Sequence, residues 1–377
     1  MKNTSLYLIA LAMAISGPVK AADVNAEKEC AQPCLEYSGH VDLNTAWLIP
    51  TDSGVSNSYD IGPEAETEFT LRMFDGFSVL TNLKAEPVLD VDPGTNRFFS
   101  DIGAYVEVLQ ANVAICDLTS FGGKIHPAFG HAWDVTPGLH GTDLAEDYEL
   151  KERLGGGASY AFDGFGFNNV LSASAFTADR TMFSESVFTN RGRRSLADGE
   201  AGNTDGVSSF AVALDGCAGA EVDSCYDDGK FGYQVAARYQ KGGEDSEGNE
   251  LGFLGSVIKS FAVGEDTTIR LLGEAAWFRD FQGGADNAIA FTGSGALEQG
   301  PFTYSLSYSQ ERIFADGADI IDHLVDATAT YDLGEMPSVA GERWSIGAGY
   351  TYEQAEDEGT HIIGMKLSAK FDGNVSF

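Results

Sequence analysis

The last strand-length run of the chain limits what the rest can be. From Ile363 onward every odd position is apolar or glycine: Ile363, Met365, Leu367, Ala369, Phe371, Gly373, Val375 and Phe377. Every even position is polar or small: Gly364, Lys366, Ser368, Lys370, Asp372, Asn374 and Ser376. Period-two alternation puts one face in an apolar medium and the other in a polar one. Ordinary strands run about five or six residues, and this one runs about fifteen. A tilted strand crossing a bilayer needs about 9–11 residues, which fits.

The pattern recurs. Phe231, Tyr233, Val235, Ala237 and Tyr239 share one face, with Gln234 and Arg238 on the other; Phe302, Tyr304, Leu306 and Tyr308 alternate with Thr303, Ser305, Ser307 and Ser309. Trp344, Ile346, Ala348, Tyr350 and Tyr352 repeat it, as do Phe69, Leu71 and Met73 against Glu68, Thr70 and Arg72. Hydroxyls, glycines and charges make up the polar face, which suits a wet lumen. Strands are expected near 37–49, 64–74, 77–88, 100–115, 119–125, 150–162, 166–178, 206–215, 229–240, 251–263, 266–279, 286–297, 301–312, 320–333, 342–354 and 359–377. The fold class is all-β: a transmembrane antiparallel β-barrel of about sixteen strands, with fourteen to eighteen as bounds. Short turns are expected at Asp75-Gly76, Asp117-Leu118, Asp163-Gly164, Gly264-Glu265 and Gln299-Gly300, and long external loops at 50–63, 126–149, 179–205, 241–250 and 280–285. The stretches 216–228 and 334–341 break the expected rhythm of short and long connections.

Composition removes other classes. Against 23 Lys and Arg stand 57 Asp and Glu, a formal charge of −34, so the chain repels nucleic acid. Twenty-four Phe, 14 Tyr and 4 Trp bury too much apolar surface for a disordered chain. After the N-terminus no stretch approaches ~18 uncharged apolar residues, so membrane-spanning helices are excluded. Residues 1–21 read as a cleaved secretory signal, with Lys2, the apolar run Leu6 to Ile15, and Val19-Lys20-Ala21 before the cut. A periplasmic N-terminal extension at 22–36 and the barrel at 37–377 follow. All five cysteines lie past the signal, where disulfides form. Cys217 and Cys225 are expected to staple a loop. Cys30 and Cys34 are spaced for a second local bridge, which would leave Cys116 over; a pairing of Cys116 with either stays open. No metal site is expected: His126, His131 and His140 fit no compact ligand template.

Signal, strand count, short turns on one side and the terminal Phe377 together resemble the general Gram-negative outer-membrane porins. The alternating end (Phe371, Val375, Phe377) is similar to the C-terminal signal that outer-membrane barrels present to their assembly machinery. The resemblance implies an outer-membrane location, a homotrimer, and a third loop folded into the lumen as a constriction. That loop, 126–149, carries Asp134, Asp143, Glu146 and Asp147, although Ala128 stands where the family has an acid. Inward-facing bases are expected at Arg72, Lys84, Arg153, Arg238, Arg270, Lys366 and Lys370, with Arg72 and Lys84 favoured by the resemblance. Loop acids facing wall bases would set a transverse field across a narrow opening, selecting solutes by charge and size.

The first functional reading is passive diffusion of small hydrophilic solutes or ions through a water-filled channel. The alternative is a substrate-selective channel for an anionic nutrient or metal chelate, drawn by the basic loop residues Arg180, Arg191, Arg193 and Arg194. An outer-membrane enzyme ranks below both, since no Gly-x-Ser-x-Gly elbow is present. No cofactor is expected beyond divalent cations bridging the acidic surface to lipopolysaccharide. Expected partners are outer-membrane lipid, lipopolysaccharide, the assembly machinery and further copies of the chain; no nucleic acid is expected.

Overall fold

In the computed structural model the described residues are 31–377, apart from 53, 90, 337–341, 356 and 357. The signal at 1–21, most of the 22–36 extension, and Cys30 therefore lie outside them.

Sixteen long antiparallel strands form the wall. They are β1 Cys34–Pro50, β2 Ser58–Phe74, β3 Phe77–Pro87, β4 Ile102–Ile115, β5 Leu118–Ile125, β6 Arg153–Gly164, β7 Phe167–Ala178 and β8 Ser209–Ala218. The second half comprises β9 Phe231–Gln240, β10 Glu250–Gly264, β11 Thr267–Arg279, β12 Asn287–Gln299, β13 Phe302–Phe314, β14 Ile320–Glu335, β15 Glu342–Ala355 and β16 Glu358–Ser376. Each strand pairs with its sequence neighbours, and β16 pairs with β1 from Cys34↔Ser376 to Pro50↔Thr360, which closes the barrel and leaves no open sheet edge. β1 starts at Cys34, inside the expected extension, and β8 runs three residues later than expected.

The alternation turns out as two different environments. On the outer face Val212, Val235, Phe253, Val257, Leu271, Phe291, Leu306, Ile363 and Met365 are all exposed. On the inner face Gln234, Arg238, Glu274, Thr292, Ser307, Ser309, Asp326 and Ser368 are buried. An apolar outside around a polar, partly filled inside inverts the pattern of a soluble protein.

Where a wall strand outruns its neighbour, a loop supplies the missing partner. β5 covers β4 only from Leu109 to Ile115, because the chain leaves the wall after Ile125. The exposed edge at Gly103 and Ala104 is taken by Phe188 and Val187 from the loop 179–208. β2 likewise extends past β3, and Asp60 and Ile61 there pair with Arg97 and Phe98 from the loop 88–101. Both short pieces satisfy backbone groups that would otherwise lie bare.

The Cys217–Cys225 disulfide is present. Cys34 is disulfide-bonded, and Cys116 is free and exposed.

Candidate functional site

The third external connection, 126–152, turns into the barrel and crosses it. Two one-turn helices, Ala132–Val135 and Asp143–Glu146, give it shape. Phe129, Ala132, Ala145, Tyr148 and Leu150 are buried, and they pack on wall residues Phe176, Ala236, Leu254, Leu272, Ala276 and Phe278 as one apolar cluster inside the lumen. Small side chains at Ala211, Ala213, Ala236 and Ala276 make the room.

Polar anchors then fix its position. Glu274 on β11 accepts from His131 N at 2.7 Å, Ala132 N at 3.2 Å and the Tyr148 hydroxyl at 2.8 Å. Gln234 on β9 accepts from Gly130 N at 2.6 Å. Arg238 donates from Nε to Glu250 at 2.6 Å and to the Tyr148 carbonyl. At the loop tip Leu139 N donates to Thr328 Oγ1 and His140 N to Asp326 Oδ2, both at 3.2 Å on β14. Leu139 itself lies over three glycines: a Cβ at Gly364, Gly349 or Gly347 would come within 3.0, 3.1 or 3.8 Å of its methyls. Gly138 has φ +140°, and a Cβ there would come within 2.3 Å of Asp326 Oδ1. No residue with a side chain fits that approach.

What stays open is the space between this loop, Arg97 of the loop 88–101 and strands β16, β1, β2 and β3. A cavity of about 240 Å³ there is lined by Asn44, Asp60, Glu64, Arg97, His140, Asp143 and Lys366, among others. Another of about 230 Å³ lies between the loop residues His126 and Ala128 and the wall, with Gln110, Asn112, Thr119, Ser159, Ser172 and Ser174.

The charges around the opening differ from expectation. Along β2 the inward positions Asp60, Glu64, Glu66 and Glu68 form a carboxylate column; positions two apart on a strand are about 7 Å apart. Asp42, Glu86 and Glu107 flank it on β1, β3 and β4. Among the predicted wall bases, Lys84 and Lys366 do face this space, but each is matched. Lys84 Nζ lies 3.1 Å from Glu86 and 3.9 Å from Glu64, and Lys366 Nζ lies 2.9 Å from Asp42.

The other predicted bases lie elsewhere. Arg238 is buried beneath the loop, between the rings of Phe129 and Phe278 at 4.5 and 4.6 Å. Arg153 lies over Phe176, 6.0 Å from its ring centre. Arg270 pairs with Glu298, and Arg72 pairs with Glu36 at 2.8 Å near the chain-terminal end of the barrel. Lys370, near that same end, is exposed. Wall bases thus face the loop at Lys84 and Lys366, but wall carboxylates stand beside them, so acids lie on both sides of the opening. The signal for it was present as Glu64-Ala65-Glu66-Thr67-Glu68, three acids in strict alternation.

The loop acids behave individually. Asp134 lies inside the lumen, where desolvation, with Glu66 and Asp227 nearby, raises its carboxyl above the usual range. Asp143 is 3.0 Å from His140 Nδ1, and Glu146 accepts from Thr142 at 3.1 Å and lies 3.4 Å from Lys151. Enclosure pushes Asp147 up to about 6; Lys151 opposes this, and Asp322, Glu146 and Asp143 reinforce it. Enclosure also pushes Glu149 up to about 8, with Lys151 opposing and Glu146 and Glu107 reinforcing it. The three loop histidines are kept apart by separate carboxylates: His126 with Glu149 at 3.4 Å, His131 with Asp215 at 3.1 Å and His140 with Asp143. The basic set of the fourth loop is likewise neutralised. Arg191 grips Glu152, Arg194 lies 3.3 Å from Glu200, and Arg193 and Arg180 lie 3.9 and 3.8 Å from Glu185 and Asp205.

No family model matches the chain, and no curated protein matches it. Solved structures do. A loop L8 deletion mutant of OmpT, an outer membrane protein of Vibrio cholerae, superposes with a TM-score of 0.50 at 13% identity, over 89% of this chain and 100% of that one. The outer membrane channel DcaP of Acinetobacter baumannii gives a TM-score of 0.50 at 11% identity, over 94% and 100%. The fold is a porin fold. At such identities the likeness is one of architecture, so the porin-type barrel here is built on its own set of lumenal residues.

Proposed function

We propose that this chain is an outer-membrane channel for passive diffusion of small hydrophilic solutes, and that cations pass in preference to anions. The observation that carries this is the carboxylate column Glu64, Glu66 and Glu68, facing a loop that carries its own acids, with Arg97 taken up by Asp60, Lys84 by Glu86 and Lys366 by Asp42. Fixed negative charge in a narrow, low-dielectric passage concentrates cations and repels anions. The anionic-nutrient alternative is less favoured by this arrangement, because Arg191 and Arg194 are engaged with carboxylates. In this reading the exposed apolar band sits in lipid, the barrels assemble as a homotrimer, and divalent cations bridge surface acids to lipopolysaccharide. The assembly machinery reads Phe371, Val375 and Phe377. No catalytic role is assigned.

Purified protein in a planar bilayer under a potassium chloride gradient tests the proposal. A reversal potential on the cation side is expected, and Lys84→Ala should shift it further that way. An anion-side potential would overturn the selectivity, and complete absence of conductance would overturn the channel. Hydrolysis of lipid or ester substrates in detergent would count for an enzyme instead.

A further inference from the structure

Among the chain-terminal-side connections that lie wholly within the described residues, one breaks the rule of tight turns. Neighbouring strands there are joined by two residues at 75–76, 116–117, 165–166, 265–266 and 300–301, but β8 and β9 are joined by 219–230. This stretch folds inward. Cys217, on the lumenal face of β8, is 1% exposed and bonded to Cys225, which opens the one-turn helix Cys225–Asp228. Gly232 on the lumenal face of β9 has no room for a side chain, since a Cβ there would lie 2.7 Å from Cys225 Sγ. Tyr226 packs against the apolar cluster that holds the inserted loop. Asn168 donates to the Ala220 carbonyl at 2.9 Å, and Arg270 donates to the Asp227 carbonyl at 3.1 Å. Asp223 is exposed, as is Glu68 on β2, and the charge of Asp223 is felt at Glu68. Asp227 stands in the same relation to Asp134 of the inserted loop.

We infer that 219–230 is a second constriction of the pore, entering from the chain-terminal side and held in the lumen by the Cys217–Cys225 bond. The inference rests on the reading of the lumen as a conducting path. The disulfide closes a separation of eight residues and so limits how far 218–224 can move from the end of β8. Tyr226, Ala220 and Asp227 tie parts of the segment to the wall, and the covalent staple fixes its remaining stretch, which carries the exposed Asp223, at the lumenal face of β8. Solutes that pass the inserted loop then meet a second acidic narrowing formed by Asp223, Asp227 and Glu68.

The test uses intact channels already inserted in a planar bilayer, with a phosphine reductant added to one chamber at a time. Reduction from the chain-terminal side should raise single-channel conductance in a step. The Cys217→Ser/Cys225→Ser variant should start at the raised level and ignore the reductant, which separates this bond from the one at Cys34. Independently, Asp223→Lys, a surface change in a protein whose staple is intact, should shift the reversal potential toward anions. Unchanged conductance after reduction verified by thiol labelling, together with an unmoved potential in Asp223→Lys, overturns the inference while leaving the channel intact. A parent protein that never conducts overturns the channel reading, and this inference with it.

Discussion

Arg238 and Glu250 form an ion pair inside the lumen, Nε to Oε1 at 2.6 Å, with both side chains withdrawn from solvent. The guanidinium lies between Phe129 of the inserted loop and Phe278 of the wall, and it donates to the Tyr148 carbonyl. Glu250 also accepts from Gln240 Nε2 at 3.0 Å and Gln282 N at 2.8 Å. Wall, loop and a neighbouring external turn meet at this pair. Glu250→Ala would strand a buried charge, at a cost of about 3–5 kcal/mol. Urea unfolding in detergent should show that loss. The double change Arg238→Met/Glu250→Leu should recover most of it, because no uncompensated charge then remains.

Asp326 holds the loop tip. It is fully buried and accepts from His140 N, from Thr328 Oγ1 at 2.8 Å and from Thr351 Oγ1 at 2.7 Å. Asp326→Ala leaves those donors unmatched, each at about 1–3 kcal/mol. Leu139 should then leave its glycine seat part of the time. Single-channel recordings should show larger, noisier currents; quiet currents of parental size would assign the tip's position to Leu139 alone.

Arg191 ties down the strand piece that patches the edge of β4. It contacts Glu152 through both terminal nitrogens, one at 2.8 Å, and its guanidinium carbon lies 3.6 Å from the Tyr105 ring centre. Its Nε donates to the Ser184 carbonyl at 2.9 Å. Arg191→Ala removes charge-assisted bonds worth about 1.5–3 kcal/mol, enough to raise the opened population of the loop about ten- to a hundredfold. Trypsin should therefore cut after Arg193 and Arg194 faster than in the parent, with the barrel core still resistant. Equal cutting rates would contradict the patch.

The pH dependence follows from the loop acids. Asp147 rises from 3.8 to about 6, and Glu149 from 4.5 to about 8. An acid with a raised folded value favours the fold most below its unfolded value, and that contribution is lost as pH climbs through the folded value. Attachment of the loop should thus weaken between about pH 4 and pH 8, while cation preference grows as both groups ionise. Glu152, held below its usual value by Arg191 and Lys124 against the cost of burial, works oppositely and loses its contribution as pH falls below about 4.5. Reversal potentials at pH 5 and pH 8 should differ in the direction of greater cation preference at the higher pH. An Asp147→Asn/Glu149→Gln double variant should flatten the difference.

The barrel was legible because its information is local. The alternation at Ile363 to Phe377 names both faces of a strand without reference to any partner, and all sixteen expected segments are strands. The cysteine staple was local too, eight residues apart. The fates of the lumenal bases were not. Glu86, two residues along on the same face, is a partner of Lys84 that the sequence does show, but the approach of Glu64 depends on the cross-strand register of β2 and β3. Arg238 reads as an inward wall residue on β9, as it is, but its burial depends on Phe129 and Tyr148 arriving from a loop some ninety positions earlier. The glycines 347, 349 and 364 look like strand irregularities until Leu139 occupies the space above them. By itself, then, the sequence determined the strands, their two faces and the side from which a loop would enter. Tertiary structure decided which charges remain unmatched in the passage, because neutralisation is a property of pairs brought within a few ångströms by the closed sheet. Period and composition carry no record of that distance.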